Sequence, residues 1–121
     1  MAAHNDLGKW GEDIAAEYLQ KKQFRIIQRD WRSGHRDIDI VATDGECLIF
    51  VEVKTRRDTE YGSPLDAINY WKRKNLLASI NHYIRAHHID MPFRCDVVAV
   101  VAHIGEEPDI THIEDINLLQ D

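Results

Sequence analysis

Hydrophobic and polar residues follow a helical period in the first part of the chain. Over residues 7–20 most polar side chains fall within one arc of about 80° on a helical wheel, and apolar or small residues fill the rest. Glu12 is the one charged residue outside this arc. A carboxylate on a packed side is costly unless it has a partner or a metal. The pattern therefore predicts an amphipathic helix with Glu12 as a candidate functional residue.

Beyond this helix, short apolar runs separated by turn signals are typical of strands. They cover residues 24–31, 37–42, 47–54, 93–102 and 110–116. A long helix between the third and fourth strands is predicted to begin with Ser63 as its cap and Pro64 in its first turn, and to end near residue 88. The order α-β-β-β-α-β-β predicts an α/β fold with a mixed central sheet flanked by helices. Residues 1–121 are expected to form one domain.

The second and third strands are predicted to form a hairpin that gathers charged side chains. Asp44-Gly45 is a strong signal for a two-residue loop, which would pair residue 43 with residue 46. This register puts Asp37 opposite Glu52 and makes Asp39 a diagonal neighbour of Glu52, with Cα atoms about 7–8 Å apart. Because side chains alternate along a strand, Lys54 shares their face.

Three acids and a lysine in the apolar middle of a hairpin allow two interpretations. Oxygen ligands suit Mg²⁺ or Mn²⁺, which polarises a phosphoryl oxygen and lowers the pKa of a bound water. Lys54 would then stabilise charge that grows on the phosphate. A surface ladder of ion pairs formed by Asp39, Glu52 and Lys54 explains the same spacing. Spacing alone leaves both interpretations open.

The net charge of −6 at first argues against a protein that coats nucleic acid. Residues 1–90, however, carry 14 basic and 14 acidic side chains, so the whole excess belongs to residues 91–121. Basic clusters in the neutral part favour a surface that faces phosphates. Trp71, beside one cluster, would either cover the sheet, which we favour, or stack on a base. The candidate nucleic-acid-binding residues are Arg32, Arg36, Arg56, Arg57, Lys72 and Lys74.

The composition also bears on where the chain is found. No apolar run approaches the roughly 20 residues of a membrane helix, and the N-terminus lacks an apolar signal segment. We therefore expect no membrane partner and a cytoplasmic location. Cys47 and Cys95 lie in strand-like runs and are expected to be reduced thiols.

Several segments of the chain resemble one bacterial protein family. Residues 8–19 match its opening helix, residues 37–42 match its "GEIDLIA" strand, and residues 50–56 match "FVEVKTR". The chain is thus similar to the YraN-like uncharacterised family over nearly its full length, although Arg36-Asp37 stands where that family has Gly-Glu. Asp39 followed by Glu52-Val53-Lys54 resembles the D…(E/D)xK core of restriction-endonuclease-like nucleases.

The resemblance implies a restriction-endonuclease-like fold and a metal-dependent active site. Asp39, Glu52 and the Val53 carbonyl would bind Mg²⁺ or Mn²⁺, and Lys54 would be the catalytic lysine. Glu12 resembles the additional metal-facing Glu of the archaeal Holliday-junction resolvase branch, and would act directly or through water. The expected activity is hydrolysis of phosphodiester bonds in DNA, with branched or structured DNA as a candidate substrate.

Two other functions are compatible with the sequence. A non-cleaving nucleic-acid-binding module on the same fold would bind in a salt-dependent way without hydrolysis. A protein-interaction subunit would use its acidic C-terminal quarter to dock a basic partner. Cutting both strands of a duplex needs two active sites, so a homodimer is compatible with the nuclease, although no residue identifies an interface.

Overall fold

The computed structural model describes residues 3–57 and 64–119, with side chains from residue 6 onwards. Two α-helices, one short 3₁₀ helix and five strands form this part of the chain. The order α-β-β-β-α-β-β is confirmed and is consistent with a nuclease-like fold. The elements are α1 (Ala3–Lys21), β1 (Arg25–Ser33), β2 (Arg36–Thr43), β3 (Leu48–Arg56), the 3₁₀ helix (Pro64–Ala67), α2 (Tyr70–Ala86), β4 (Phe93–Val101) and β5 (Asp109–Ile113).

The five strands form one mixed sheet in the order β1-β2-β3-β4-β5. Neighbouring strands are antiparallel except for β3 and β4, which are parallel. A parallel pair needs a long crossover connection, and α2 lies in the segment that joins these two strands. The predicted mixed sheet flanked by helices is therefore confirmed.

Each face of the sheet packs against one helix, because apolar side chains alternate between the two faces of β3. Ile49 and Val51 pack with Leu19 of α1, in what we call the α1-side core. Phe50 packs with Ile80 of α2, in what we call the α2-side core. β3 thus lies at the centre of both cores. This packing holds the polar C-terminal half of β3 between the two helices.

The alternation breaks at one point in β2. Ile40 belongs to the α1-side core, whereas Ile38, two residues earlier, belongs to the α2-side core. In a regular strand both would face the same way. The residue pairing between β1 and β2 passes over Asp30 and Asp39 at this point, and Asp30 has a positive φ of 53°. Irregularities in a strand change the direction in which its side chains point, and the change in β2 lies at Asp39, between Ile38 and Ile40.

The predicted two-residue loop between β2 and β3 is wrong. Thr43 pairs with Leu48, so four residues form the connection instead of two. The carboxylate of Asp44 accepts hydrogen bonds from the backbone N–H groups of Glu46 and Cys47 at 2.9 and 3.0 Å, which stabilises the longer turn. The register therefore differs by two residues from the prediction. A shift of two does not by itself move a side chain to the other face, so the change of face at Asp39 has a separate origin.

The predicted start of the second helix is also wrong. Pro64 belongs to the separate 3₁₀ helix, and α2 begins only at Tyr70. Asn69 caps α2, because its side-chain oxygen accepts a hydrogen bond of 2.9 Å from the backbone N–H of Lys72. Ser63, the predicted cap, lies outside the described residues.

Candidate active site

Glu12 is brought to the sheet by a close approach between α1 and β3. A Cβ atom at the neighbouring Gly11 would lie 2.8 Å from the Cβ of Thr55, so only glycine fits there without a shift. The Glu12 carboxylate lies 3.1 Å from a guanidinium nitrogen of Arg29, which also contacts Asp13 at 2.6 Å. This hydrogen bond from Arg29 lowers the pKa of Asp13 below its usual range.

Asp39 lies at the strand irregularity and is held by the backbone of β3. Its Oδ2 accepts a hydrogen bond of 2.8 Å from the N–H of Val53. Burial, followed by the charges of Glu52, Glu12 and Asp37, raises the pKa of Asp39 to about 7, although the hydrogen bond from the Val53 N–H works to lower it. Three other carboxylates therefore act electrostatically on Asp39.

Glu52 is buried, with an exposed fraction of 7%, and is paired with two lysines. Its Oε2 lies 3.4 Å from Nζ of Lys54 and 3.1 Å from Nζ of Lys72. Burial works to lower the pKa of Lys72, but the charge and hydrogen bond of Glu52 outweigh it and raise that pKa. Lys72 lies on α2, so its approach to Glu52 depends on tertiary packing that sequence spacing does not reveal.

The candidate residues line two clefts on either side of β3. The Asp39 cleft is lined by Glu12, Arg32, Asp39, Val53 and Lys54, together with residues of α1. The Glu52 cleft is lined by His35, Arg36, Asp37, Glu52 and Lys72, together with residues of α2. The structure therefore brings Glu12, Asp39, Val53 and Lys54 together, whereas Glu52 faces the other cleft and is coupled to Asp39 through its charge.

The donor set of the Asp39 cleft fits a hard divalent cation. Within residues 6–57 and 64–119, no hydrogen bond reaches Oδ1 of Asp39, which leaves this oxygen available as a ligand. Glu12, Asp39 and Glu52 do not form a group of three within 4.8 Å among these residues. A cation that bound between them would offset the repulsion that raises the pKa of Asp39. Carboxylate and carbonyl oxygens are the ligands that Mg²⁺ and Mn²⁺ prefer.

Some of the candidate nucleic-acid-binding residues line one of the two clefts, and the others do not. Arg32 lines the Asp39 cleft and lies 3.0 Å from Asp30, whereas Arg36 and Lys72 line the Glu52 cleft. Arg56 is half-buried and has an interaction partner, and Arg57 is exposed. Lys74 lies away from both clefts, with its ammonium group 6.0 Å from the ring centroid of Trp71.

The prediction that Trp71 covers the sheet is wrong, since this side chain is 69% exposed. It lies in the first turn of α2, where Tyr70 is its edge-to-face neighbour with ring centroids 5.1 Å apart. The other interpretation of Trp71, stacking on a base, stays a prediction.

Sequence reasoning missed a buried polar cluster around Asp96. This carboxylate is fully buried and accepts hydrogen bonds from the Asp115 N–H at 2.9 Å and from Arg94 at 3.0 Å, and lies 2.7 Å from Nε2 of His112. Burial works to raise the pKa of Asp96, but the bonds from these three partners outweigh it and lower that pKa. The one available signal was an acid inside the apolar run of β4.

This cluster also contains a carboxyl–imidazole group of the kind that binds metals. Asp96, His112 and Glu114 offer ligand atoms within 4.8 Å of one another. Lys22 lies 3.1 Å from Nδ1 of His112 and 3.6 Å from Glu114, and Arg94 lies 3.8 Å from Glu114. Two cationic side chains therefore already neutralise the acids, and the cluster links β4 to β5 as a structural network.

Both cysteines are free thiols, as the sequence predicts, and burial raises the pKa of Cys95 to about 12. A thiol with such a pKa stays protonated at neutral pH and is unreactive. In the described part of the chain, no helix is long and apolar enough to cross a membrane.

Comparison with known proteins finds relatives along nearly the whole chain. The family model described as "Uncharacterised protein family UPF0102" matches residues 11–100. A UPF0102 protein of Flavobacterium psychrophilum is 41% identical over 115 residues, which cover 95% of this chain and 96% of the relative. A UPF0102 protein of Bacteroides fragilis is 44% identical over 105 residues, or 87% of each chain. One of Renibacterium salmoninarum is 41% identical over 114 residues, covering 93% of this chain and 97% of the relative. The chain therefore belongs to the uncharacterised protein family UPF0102, the YraN-like family that its motifs resemble.

Proposed function

We propose that this protein is a Mg²⁺- or Mn²⁺-dependent nuclease that hydrolyses phosphodiester bonds in DNA, with structured or branched DNA as its substrate class. The observation that carries the proposal is Asp39, a carboxylate held by a backbone N–H in a cleft with Glu12 and Lys54. Burial first, and then the charges of neighbouring carboxylates, raise the pKa of Asp39, and perturbed pKa values of this kind cluster at functional sites. Reduced thiols agree with a cytoplasmic location.

The proposed roles combine residues from the two clefts on either side of β3. Asp39, Glu52 and the Val53 carbonyl would hold the metal, with Glu12 acting directly or through water. The metal would supply a bound water of lowered pKa and polarise the phosphate. Lys54 carries its ammonium group beside this set and would orient the attacking water or stabilise negative charge on the phosphate.

The candidate basic residues would hold the nucleic-acid backbone on both sides of the cut. Arg32 lines the Asp39 cleft, whereas Arg36 and Lys72 line the Glu52 cleft. Arg56 ends β3 and Arg57 follows it, so both continue the positive charge beyond Lys54. Contacts of this kind make binding fall steeply with salt. The neutral charge balance of residues 1–90 agrees with local binding at this site and not with coating of long nucleic acid.

The experiment is a cleavage screen in Mg²⁺ and Mn²⁺ over duplex, single-stranded, flapped and four-way-junction DNA. Asp39→Ala and Glu52→Ala are expected to abolish cleavage while far-UV circular dichroism shows an unchanged fold. Glu17→Ala is the matched control, because Glu17 is an exposed acid of α1 whose carboxylate pairs with Lys21 at 3.2 Å. Cleavage by both variants would refute the assignment of Asp39 and Glu52 to the active site.

A non-catalytic nucleic-acid-binding module is the second candidate, and the ion pairs of the site favour it. Glu52 is paired with Lys54 and Lys72, and Glu12 is paired with Arg29, so two of the acids are neutralised without a metal. This candidate predicts salt-dependent binding with no cleavage of any substrate in either metal. The same screen, run beside a binding assay at two salt concentrations, separates the two functions.

A further inference from the structure

The first turn of α2 carries two exposed aromatic side chains, Tyr70 and Trp71, directly before Lys72, which lines the Glu52 cleft. Lys72 extends from this turn into the cleft and lies 3.1 Å from Glu52. Trp71 is the preceding residue, with its Cα about 3.8 Å from that of Lys72. Its side chain is 69% exposed, more than any other aromatic side chain in the described part of the chain. An exposed indole ring therefore lies on a helix, and not on a loop, one residue before a side chain that lines the cleft.

A positive charge lies close to the Trp71 ring. The Lys74 ammonium group lies 5.3 Å from the ring centroid of Tyr70 and 6.0 Å from that of Trp71. These contacts join residues three and four positions apart, which are neighbours on a helix surface. Of the two lysines that follow Trp71, Lys72 thus places its ammonium group in the cleft and Lys74 places its own beside the two rings.

The charge identifies the occupant of this exposed surface. The cores of protein–protein interfaces are depleted in lysine, whereas Lys72, Arg73 and Lys74 directly follow Trp71. Proteins that bind single strands combine a positive groove with aromatic side chains on which bases stack. The faces of paired bases are covered inside a duplex, so a base that stacks on Trp71 must be unpaired.

We propose that Trp71 is a stacking platform for an unpaired base of the nucleic-acid strand whose phosphate lies at the Glu52 cleft. Lys74 contacts the phosphate of the stacked nucleotide, and Lys72 contacts the phosphate next to the proposed active site. The inference rests on the proposed function and narrows its substrate class to DNA that carries unpaired nucleotides beside the cut. Stacking is tolerant of sequence, so the platform selects strand structure and not base identity.

Fluorescence anisotropy tests the platform without metal, in EDTA, with a labelled oligothymidylate of 12 nucleotides and a 12-base-pair duplex. Trp71→Ala is expected to weaken single-strand binding roughly 5- to 150-fold and duplex binding less than twofold. Trp71→Phe keeps a stacking face and is expected to retain most of the affinity. Trp10→Ala is the control, since Trp10 is a partly exposed tryptophan of α1, the helix on the other face of the sheet. Oligothymidylate should also quench tryptophan fluorescence in the wild-type protein but not in Trp71→Phe.

Two results would overturn the platform. One is an equal loss of single-strand and duplex affinity in Trp71→Ala, or no loss at all. The other is a dimer, seen by sedimentation velocity, that Trp71→Ala converts to a monomer without changing single-strand affinity. Because binding is measured without metal, a wild-type protein that binds single strands through Trp71 but cleaves nothing would refute only the nuclease.

Discussion

Asp39→Asn is the most direct test of the electrostatics at the proposed site. Asparagine has nearly the same shape, and its side-chain oxygen can still accept the hydrogen bond from the Val53 N–H. The substitution therefore removes the ionisation of residue 39 and leaves its main contact. Metal-free protein in EDTA is the appropriate sample, because a bound cation would offset the charge that is under test.

The magnitude follows from the pKa of Asp39. Burial, with the charges of Glu52, Glu12 and Asp37, raises it from 3.8 to about 7. The folded chain then holds a proton on Asp39 that the unfolded chain has lost, so the free energy of unfolding falls as pH rises between these two values. At about 1.4 kcal/mol per pKa unit, ionised Asp39 costs the folded state up to about 4 kcal/mol above pH 7. The asparagine variant escapes this cost.

Urea denaturation of both proteins from pH 4 to pH 8 measures the effect. We expect the stability of Asp39→Asn relative to wild type to rise with pH by about 2–4 kcal/mol and to level off above pH 7. Glu17→Gln, on the exposed face of α1, should show no such trend. A difference that stays constant over this pH range would refute the reasoning, because Asp39 would then ionise like an ordinary carboxyl group.

Three further predictions concern packing, the buried network and metal binding. Gly11→Ala should destabilise the protein by about 1–3 kcal/mol in urea denaturation, because the new Cβ meets Thr55. Gly8 has open space around it, so Gly8→Ala should instead stabilise α1 by up to about 1 kcal/mol. Asp96→Asn should cost about 3 kcal/mol since it breaks a buried charged network, and the exposed Asp109→Asn should leave the melting temperature unchanged. Mn²⁺ at about 100 times its Kd should stabilise the wild type by about 2.7 kcal/mol and Asp39→Asn much less, as thermal melts would show.

The periodicity of the chain was sufficient to predict the order of the elements, because burial on two faces leaves a clear pattern. In β3, alternate residues pack against α1 and α2, which is the alternation that a strand imposes. The predicted register of β2 and β3 was wrong by two residues, since the Asp44 side chain stabilises a longer turn than Asp44-Gly45 suggests. This error alone does not move a side chain to the other face of the sheet, because side chains alternate with a period of two residues.

The prediction of the site was limited by features that sequence spacing does not encode. The regular hairpin put Asp39 and Glu52 on one face, whereas they line different clefts. The change of face lies between Ile38 and Ile40, and hydrophobic periodicity does not encode such a local change in the backbone. Lys72 reaches Glu52 only because α2 packs across the sheet, a contact that joins residues 20 positions apart.

The same irregularity explains how one hairpin contributes side chains to a cleft beside α1 and to another beside α2. A regular β2 would direct Asp37 and Asp39 to the same side, and only one helix could contribute to a site there. The break lets Asp39 line a cleft with Glu12 of α1, while Asp37 and Glu52 line a cleft with Lys72 of α2. A missing β1–β2 residue pair and a half-buried carboxylate of raised pKa both reduce stability, and here they coincide at Asp39. Two costly features at one residue argue for selection on function, because a sheet built only for stability would place an apolar side chain at this position.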